Sequence, residues 1–269
     1  MTGAAVRSGF SVAPAGELAD PVVLLDLARR AEDRGWDGWF LWDHLARPGS
    51  GVPILDPWTV LGALALTTRR MRIGTMVTPL PRRRPQVVAK QAATLDRLSG
   101  GRLVLGLGLG VDSARELSGF GEVDDPAERG RMLTEGALVV DHLLRGDIVT
   151  HAGPAYPVVG MVLEPACVQH PRLPMWFATR STALAPLRRA AGYEGISPVE
   201  LSAEALAEVV GRIDVLRGGL EGFDVAPCLD VGSDPAAHVR AGATWVLWQV
   251  PPDMGADEVA ARIDRGPAG

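Results

Sequence analysis

The chain has 269 residues, of which 47% are hydrophobic, and a formal net charge of −5. One (β/α)₈ barrel takes about 250 residues, so the length is typical of a single domain of that size. The mildly acidic balance argues against binding to nucleic acid or to an anionic membrane. Two cysteines, Cys167 and Cys228, are too few for a disulfide framework or a zinc site. We therefore expect a cytoplasmic protein that binds a small molecule and holds no metal.

The first half of the chain alternates short apolar runs with amphipathic helical patterns. Because proline suits the first turn of a helix, Pro21 and Pro57 mark two helix starts. The predicted strands cover 6–12, 39–42, 71–77 and 102–107, and the helices after the second to fourth of them cover 57–66, 86–98 and 126–144.

The segment 147–174 breaks this alternation with prolines, glycines and short β-prone pieces, which favour an insertion that carries a hairpin. The alternation then resumes with strands at 175–177, 195–196, 223–229 and 244–250, each followed by a helical pattern. Such alternation predicts a parallel sheet with right-handed crossovers, and eight units favour a closed barrel. We expect an α/β (β/α)₈ TIM barrel that forms one domain over 1–269, with its insertion after the fourth unit.

In a barrel of this kind the active site lies at the carboxyl ends of the strands. Asp43 and His44 follow the second predicted strand, and histidine is the side chain whose ordinary pKa lies nearest neutrality. His44 is therefore the candidate general acid or base, with Asp43 orienting its imidazole or binding a ligand directly. The alternative is a helix-capping aspartate beside a solvated histidine.

Two further features follow the third and fourth predicted strands. The glycines at 106, 108 and 110 do not have the spacing of a dinucleotide-binding fingerprint. They either leave one strand face bare for a flat ring or relieve crowding between strands. The run Arg82-Arg83-Arg84 either binds phosphate or carboxylate or forms a solvated loop.

Four segments of the chain resemble the luciferase-like monooxygenase superfamily of flavin- and deazaflavin (F420)-dependent oxidoreductases. They read LARRAEDRGWDGWFLWDHL, RIGTMVTPLPRRRP, ATLDRLSGGRLVLGLGLG and, towards the end, AGATWVLWQV with ARIDRGPAG. The likeness covers nearly the whole chain, and the second and third segments are quite specific in combination.

The resemblance implies that Asp43 and His44 are the catalytic pair beside the reactive face of F420, and that the Met76–Val77 peptide bond is cis. It implies the following cofactor-binding residues: Thr75, Met76, Val77, Gly108, Leu109, Gly110, Ala178, Thr179, Arg180 and Ser181. F420-dependent sugar-phosphate dehydrogenases carry a glutamate directly after the glycine run, and here Val111 replaces it. The phosphate segment 178–182 is also poorer in glycine than is usual. We expect it to retain its phosphate site through Arg180 and the start of the following helix.

These features predict an oxidoreductase that transfers a hydride between F420 and an unidentified small organic substrate. The alternatives are an FMN-dependent luciferase-like monooxygenase and a flavin-binding protein without catalysis. A Schiff-base aldolase is disfavoured, because Lys90 is the only lysine and lies in a helical pattern. A homodimer is expected from the resemblance alone.

Overall fold

The computed structural model describes residues 5–46 and 51–267. Its main sheet has nine strands in the order β10-β11-β1-β2-β3-β4-β7-β8-β9, and neighbouring strands are parallel. The strands are β1 Arg7–Val12, β2 Gly38–Leu41, β3 Arg72–Pro79, β4 Leu103–Gly108, β5 Val149–His151, β6 Val158–Met161, β7 Met175–Thr179, β8 Gly195–Pro198, β9 Asp224–Val225, β10 Cys228–Asp230 and β11 Trp245–Val250. The α-helices are α1 Pro21–Asp33, α2 Pro57–Thr67, α3 Pro85–Ser99, α4 Pro126–Arg145, α5 Leu184–Ala191, α6 Ala203–Arg217, α7 Ala236–Arg240 and α8 Ala256–Asp264. The chain is thus an α/β fold with a curled parallel sheet.

Local sequence signals set most helix boundaries. Helices α1, α2 and α4 each begin with proline directly after an aspartate whose carboxylate accepts backbone N–H bonds of the first turn. Helices α3 and α4 end at Gly100 and Gly146, both in the left-handed conformation that glycine adopts without steric cost. The helices predicted after the second to fourth strands are therefore present, with small shifts of their ends.

Apolar side chains pack on both faces of the curled sheet. The larger cluster lies between the strands and the surrounding helices. A smaller cluster contains Phe40, Trp176 and Trp245, whose ring centroids are 5.5–6.0 Å apart. Because side chains alternate along a strand, Phe40 faces away from its neighbours Trp39 and Leu41, which belong to the larger cluster. The second cluster fills the concave side of the sheet, which leaves polar groups at the carboxyl ends of the strands.

The second half of the chain departs from the predicted pattern in two places. The strand predicted over 223–229 consists of β9 and β10, separated by Ala226 and by Pro227, which has no N–H to donate. Helix α7 has only five residues. Between α4 and β7, β5 and β6 form a two-stranded antiparallel sheet of their own, inside the segment 147–174 for which a hairpin was predicted. Within the described residues, no helix is both long and apolar enough to cross a membrane.

Candidate active site

Several side chains and the backbone amide of Leu45 form a hydrogen-bonded network at the carboxyl ends of β2 and β3. Its centre is Glu116, which is 1% exposed. His44 Nδ1 lies 2.6 Å from Glu116 Oε1, while the backbone N–H of Leu45 donates to Oε2 at 2.7 Å. Arg82 also donates to Oε2, at 2.7 Å. The carboxylate of Glu116 thereby fixes the orientation of the imidazole.

Asp43 occupies the other side of the same network. Its carboxylate accepts hydrogen bonds from Arg82 at 3.0 Å and from Arg83 at 2.8 Å. The indole Nε1 of Trp58 lies 3.2 Å from Asp43 Oδ2 and 3.2 Å from the hydroxyl of Thr78. Among the described residues, Asp43 makes no hydrogen bond to the neighbouring imidazole. The prediction that Asp43 orients the histidine is therefore wrong; the side chain that does so is Glu116.

Burial and charge act in opposite directions on Glu116. Burial raises the pKa of this carboxyl, but the hydrogen bonds from His44 and Leu45 and the charges of His44 and Arg82 outweigh it, so that the pKa lies below its ordinary value. Glu116 is therefore ionised at neutral pH. Because an ionised carboxylate only accepts hydrogen bonds, we assign a proton to Nδ1 of His44, which leaves Nε2 to exchange a proton with a ligand.

The sequence suggested that the acid of this site was missing, because Val111 follows the glycine run. The structure shows instead that the loop after β4 returns to the site five residues later, at Glu116. The carboxylate of Asp112 accepts from the backbone N–H of Leu117 at 2.8 Å and of Ser118 at 3.1 Å, which bends the loop back. The sequence signal for this acid is an acidic residue anywhere in the loop after β4, and not only directly after the glycines.

The arginine run is not a solvated loop, which was one of the two alternatives for this segment. Its first residue, Arg82, ends a 3₁₀ turn at Leu80–Arg82, and its side chain is only 5% exposed. The side chain of Arg83 is 19% exposed and pairs with Asp43. Only Arg84 is exposed. The run therefore holds the buried carboxylates together and leaves one guanidinium at the surface.

The Met76–Val77 peptide bond is cis, which confirms the expectation drawn from the resemblance. The pairing of β3 with β4 shifts register between Thr75 and Thr78, on either side of this bond. Thr75 is buried, and its hydroxyl donates to the carbonyl of Gly106 at 3.0 Å. Met76 is buried in the cluster on the concave side, and Val77 packs against it.

The glycines after β4 fit closely against this irregular part of β3. A β-carbon on Gly106 would clash with the carbonyl oxygen of Thr75, and one on Gly108 would lie 2.5 Å from Val77 Cγ2 and 3.8 Å from the β-carbon of Ala178. Gly110 has a φ of +75°. The carbonyls of Leu109 and Gly110 accept from Arg129 at 3.4 and 3.1 Å. Packing against β3 thus accounts for the alternating glycines, whether or not a ring also lies against them.

Alanine at position 108 is therefore expected to destabilise the protein. The added methyl group needs Val77 to move, and overpacking of a filled interior typically costs about 1–3 kcal/mol. Gly62 is the matched control, because it lies inside α2 with nothing within 4 Å of an added β-carbon. Gly62→Ala should stabilise by roughly 0.5–1 kcal/mol through helix propensity. Urea unfolding measures both variants, and a Gly108→Ala protein as stable as the wild type would contradict the packing explanation.

In the segment after β7, the side chains form hydrogen bonds and an ion pair with nearby residues of the protein. The hydroxyl of Thr179 donates to the carbonyl of Ser181 at 2.8 Å and accepts from the backbone N–H of Ser181 at 3.2 Å. Arg180 makes an ion pair with Glu200 at 2.6 Å, and both side chains are more than half exposed. Helix α5 begins at Leu184 without a side-chain cap. Arg180 is thus held at the surface by a weak exposed pair rather than in a closed pocket.

Known proteins resemble this chain in both sequence and structure. Two F420-dependent glucose-6-phosphate dehydrogenases match: that of Microbacterium testaceum is 38% identical over 55% of this chain and 45% of its own length, and that of Nakamurella multipartita is 36% identical over 58% and 46%. The chain thus spans about half the length of these curated relatives.

Solved structures share the fold along nearly the whole chain. An F420-dependent secondary alcohol dehydrogenase in complex with an F420-acetone adduct superimposes with a TM-score of 0.83 at 19% identity, covering 97% of both chains. The F420-dependent tetrahydromethanopterin reductase of Methanopyrus kandleri gives 0.77 at 17% identity, covering 98% of this chain and 99% of that one. A family model described as luciferase-like monooxygenase matches residues 5–250. On that match, which includes every strand of the curled sheet and all of the buried network around Glu116, the chain belongs to the luciferase-like monooxygenase family.

Proposed function

We propose that this protein is an F420-dependent oxidoreductase that transfers a hydride between the deazaflavin and a small organic substrate. The observation that carries the proposal is His44, whose Nδ1 lies 2.6 Å from a buried, ionised carboxylate at the carboxyl ends of the strands. A histidine held in this way keeps Nε2 oriented for proton exchange. The F420-dependent activities of the matched relatives agree with this chemistry.

The residues present fit an anionic, planar cofactor. The first turn of α5 has no side-chain cap, so its backbone N–H groups can bind a phosphate, and the guanidinium of Arg180 lies nearby in the sequence with its side chain 57% exposed. Gly108 of β4 lies beside Val77 of β3 and Ala178 of β7, both within 4 Å of where a β-carbon of Gly108 would be, and this provides a surface of small side chains for a ring. Of the arginine run, only Arg84 is exposed to meet an acidic tail. Thr75 and Thr179 are buried and would support these surfaces.

When bound, F420 supplies a two-electron hydride acceptor or donor. Oxidation of an alcohol removes a hydride from carbon and a proton from oxygen. A side chain of the protein must accept the proton. His44 Nε2 accepts that proton in oxidation and returns it in reduction. Glu116 stabilises the imidazolium that forms, because its charge lies next to Nδ1, and Arg82 keeps Glu116 in place. Asp43 holds Arg82 and Arg83, and thus acts as a positioning residue.

We further propose that the curled sheet closes as an eight-stranded barrel in which β9 and β10 act as one interrupted strand. β9 pairs with β8, and β10 pairs with β11. The N–H of Thr244, just before β11, donates to the carbonyl of Val225 in β9 at 2.9 Å. The hydrogen bonds of the two end strands therefore support closure.

Titration of the purified protein with F420 and with FMN tests the proposed cofactor. We expect saturable quenching of F420 fluorescence and at least about tenfold weaker binding of FMN, which corresponds to about 1.4 kcal/mol. Arg180→Ala should weaken F420 binding, since a hydrogen bond to a charged group contributes about 1.5–3 kcal/mol. Arg131, which forms an exposed pair within α4, is the matched control. Tight FMN binding without F420 binding would favour a flavin monooxygenase. Binding of neither cofactor would contradict the proposal.

A further inference from the structure

A groove of about 510 Å³ lies on the outer side of the curled sheet. It is formed by β1, β11, the loop after β10 and helices α7 and α8. Its lining residues, none of which belongs to the network around Glu116, include Ser8, Ser233, Val246, Trp248, Arg262 and Arg265. Its volume falls within the range of small-molecule sites, about 300–1,000 Å³. The short helix α7 follows the loop that forms one wall of the groove.

Arg262 is the unusual residue of this groove. It is 4% exposed, and its guanidinium lies between two indole rings, 4.8 Å from the centroid of Trp36 and 4.7 Å from that of Trp248. Its one hydrogen bond among the described residues goes to the carbonyl of Gly266 at 3.1 Å. Buried charges in proteins are as a rule paired, yet Arg262 forms no ion pair with any carboxylate in the described part of the chain.

Among the described residues, the surroundings of Arg262 add positive charge and no negative charge. Burial lowers the pKa of Arg262, and the charge of Arg265 lowers it further. Arg265 is exposed and has no ion-pair partner among the described residues. The nearest acid in the sequence, Asp264, is already paired with two arginines of α1 and its end, Arg30 and Arg34. An anion in this groove would therefore meet two guanidinium groups without competition from any carboxylate in the described part of the chain.

The other polar atoms of the groove can donate hydrogen bonds, as an anion requires. The indole Nε1 of Trp248 is a donor only, and it is buried without a hydrogen-bond partner among the described residues. Ser8 and Ser233 add hydroxyl groups, which can donate. The rest of the lining is apolar, with Val246 and Trp248 from β11. The groove combines a cationic end with an apolar wall.

We propose that this groove binds an organic carboxylate that carries an apolar chain. Arg262 and Arg265 bind the carboxylate head, and the apolar chain lies against Val246 and Trp248. A carboxylate matches the planar fork of a guanidinium and supplies the negative charge that no described residue provides to Arg262. The site is separate from the proposed F420 site, and its existence does not depend on the proposed function.

Calorimetric titration with octanoate, and with octan-1-ol as the neutral ligand of equal chain length, tests the proposal. We expect one octanoate per chain and at least about tenfold weaker binding of octan-1-ol, as for loss of a charge-assisted hydrogen bond. Arg262→Gln should weaken octanoate binding by about tenfold or more, and Arg265→Gln by a smaller factor because that side chain is exposed. If Arg262→Gln fails to fold, the exposed Arg265→Gln still gives the result.

The matched control is Arg217→Gln. Arg217 also lies over an aromatic ring, at 4.7 Å from the centroid of Phe223, and binds two backbone carbonyls, but it does not line the groove. Octanoate binding should be unchanged in this variant. Equal affinity for octanoate and octan-1-ol would overturn the proposal. So would octanoate binding that is unchanged in Arg265→Gln and in a folded Arg262→Gln. The absence of saturable octanoate binding would also overturn it.

Discussion

Replacing His44 by alanine is expected to lower turnover by about 10²–10⁴-fold, the usual contribution of a positioned general acid or base. F420 affinity should change little, because the imidazole is assigned to the substrate proton and not to holding the cofactor. Turnover is measured as F420 reduction with a small alcohol that the wild-type protein oxidises. Fluorescence quenching gives the F420 affinity of the same protein preparation.

Two further variants distinguish proton transfer from a general loss of structure. His142→Ala removes an exposed histidine that is also paired with a carboxylate, Asp147, and should leave turnover unchanged. Glu116→Gln keeps the shape of the side chain but removes its charge, so it should lower kcat while leaving KM and F420 affinity nearly unchanged. Full turnover in His44→Ala, with the chemical step shown to limit the rate, would exclude His44 from the reaction.

Replacing Arg82 by methionine is expected to destabilise the fold by about 3–5 kcal/mol, the typical cost of leaving a buried charge uncompensated. Arg82 is 5% exposed at its side chain and bridges two carboxylates that are each 1% exposed, those of Asp43 and Glu116. Methionine fills much of the same volume without the charge, so the loss reports electrostatics more than a cavity. The free energy of unfolding in urea measures the change.

An exposed arginine provides the comparison. Arg131→Met removes a pair whose side chains are 67% and 42% exposed, and it should cost at most about 1 kcal/mol. Adding Asp43→Asn and Glu116→Gln to Arg82→Met removes the uncompensated charges, and the triple variant should recover part of the lost stability. If Arg82→Met were as stable as Arg131→Met, the network would not contribute to folding as we describe.

The sequence by itself determined the alternation of strands and helices and the position of His44 at a strand end. Proline, aspartate and glycine act on their own chain neighbours, by fixing φ, capping N–H groups or adopting positive φ, so helices such as α2 and α4 could be placed from local patterns. The family resemblance, which is also a sequence property, gave the cis bond at Met76–Val77.

Only the tertiary structure decided which groups act together. Glu116 meets His44 across 72 positions of the chain, and Arg82 meets Asp43 across 39. No local pattern encodes such contacts, because they depend on how the loop after β4 folds back over the end of β2. The same holds for Arg262, because only the packing of α8 against β11 shows that no carboxylate of the described residues pairs with it. Burial then makes these charges important for stability, because an ion pair that contributes little in water has a large effect once solvent is excluded.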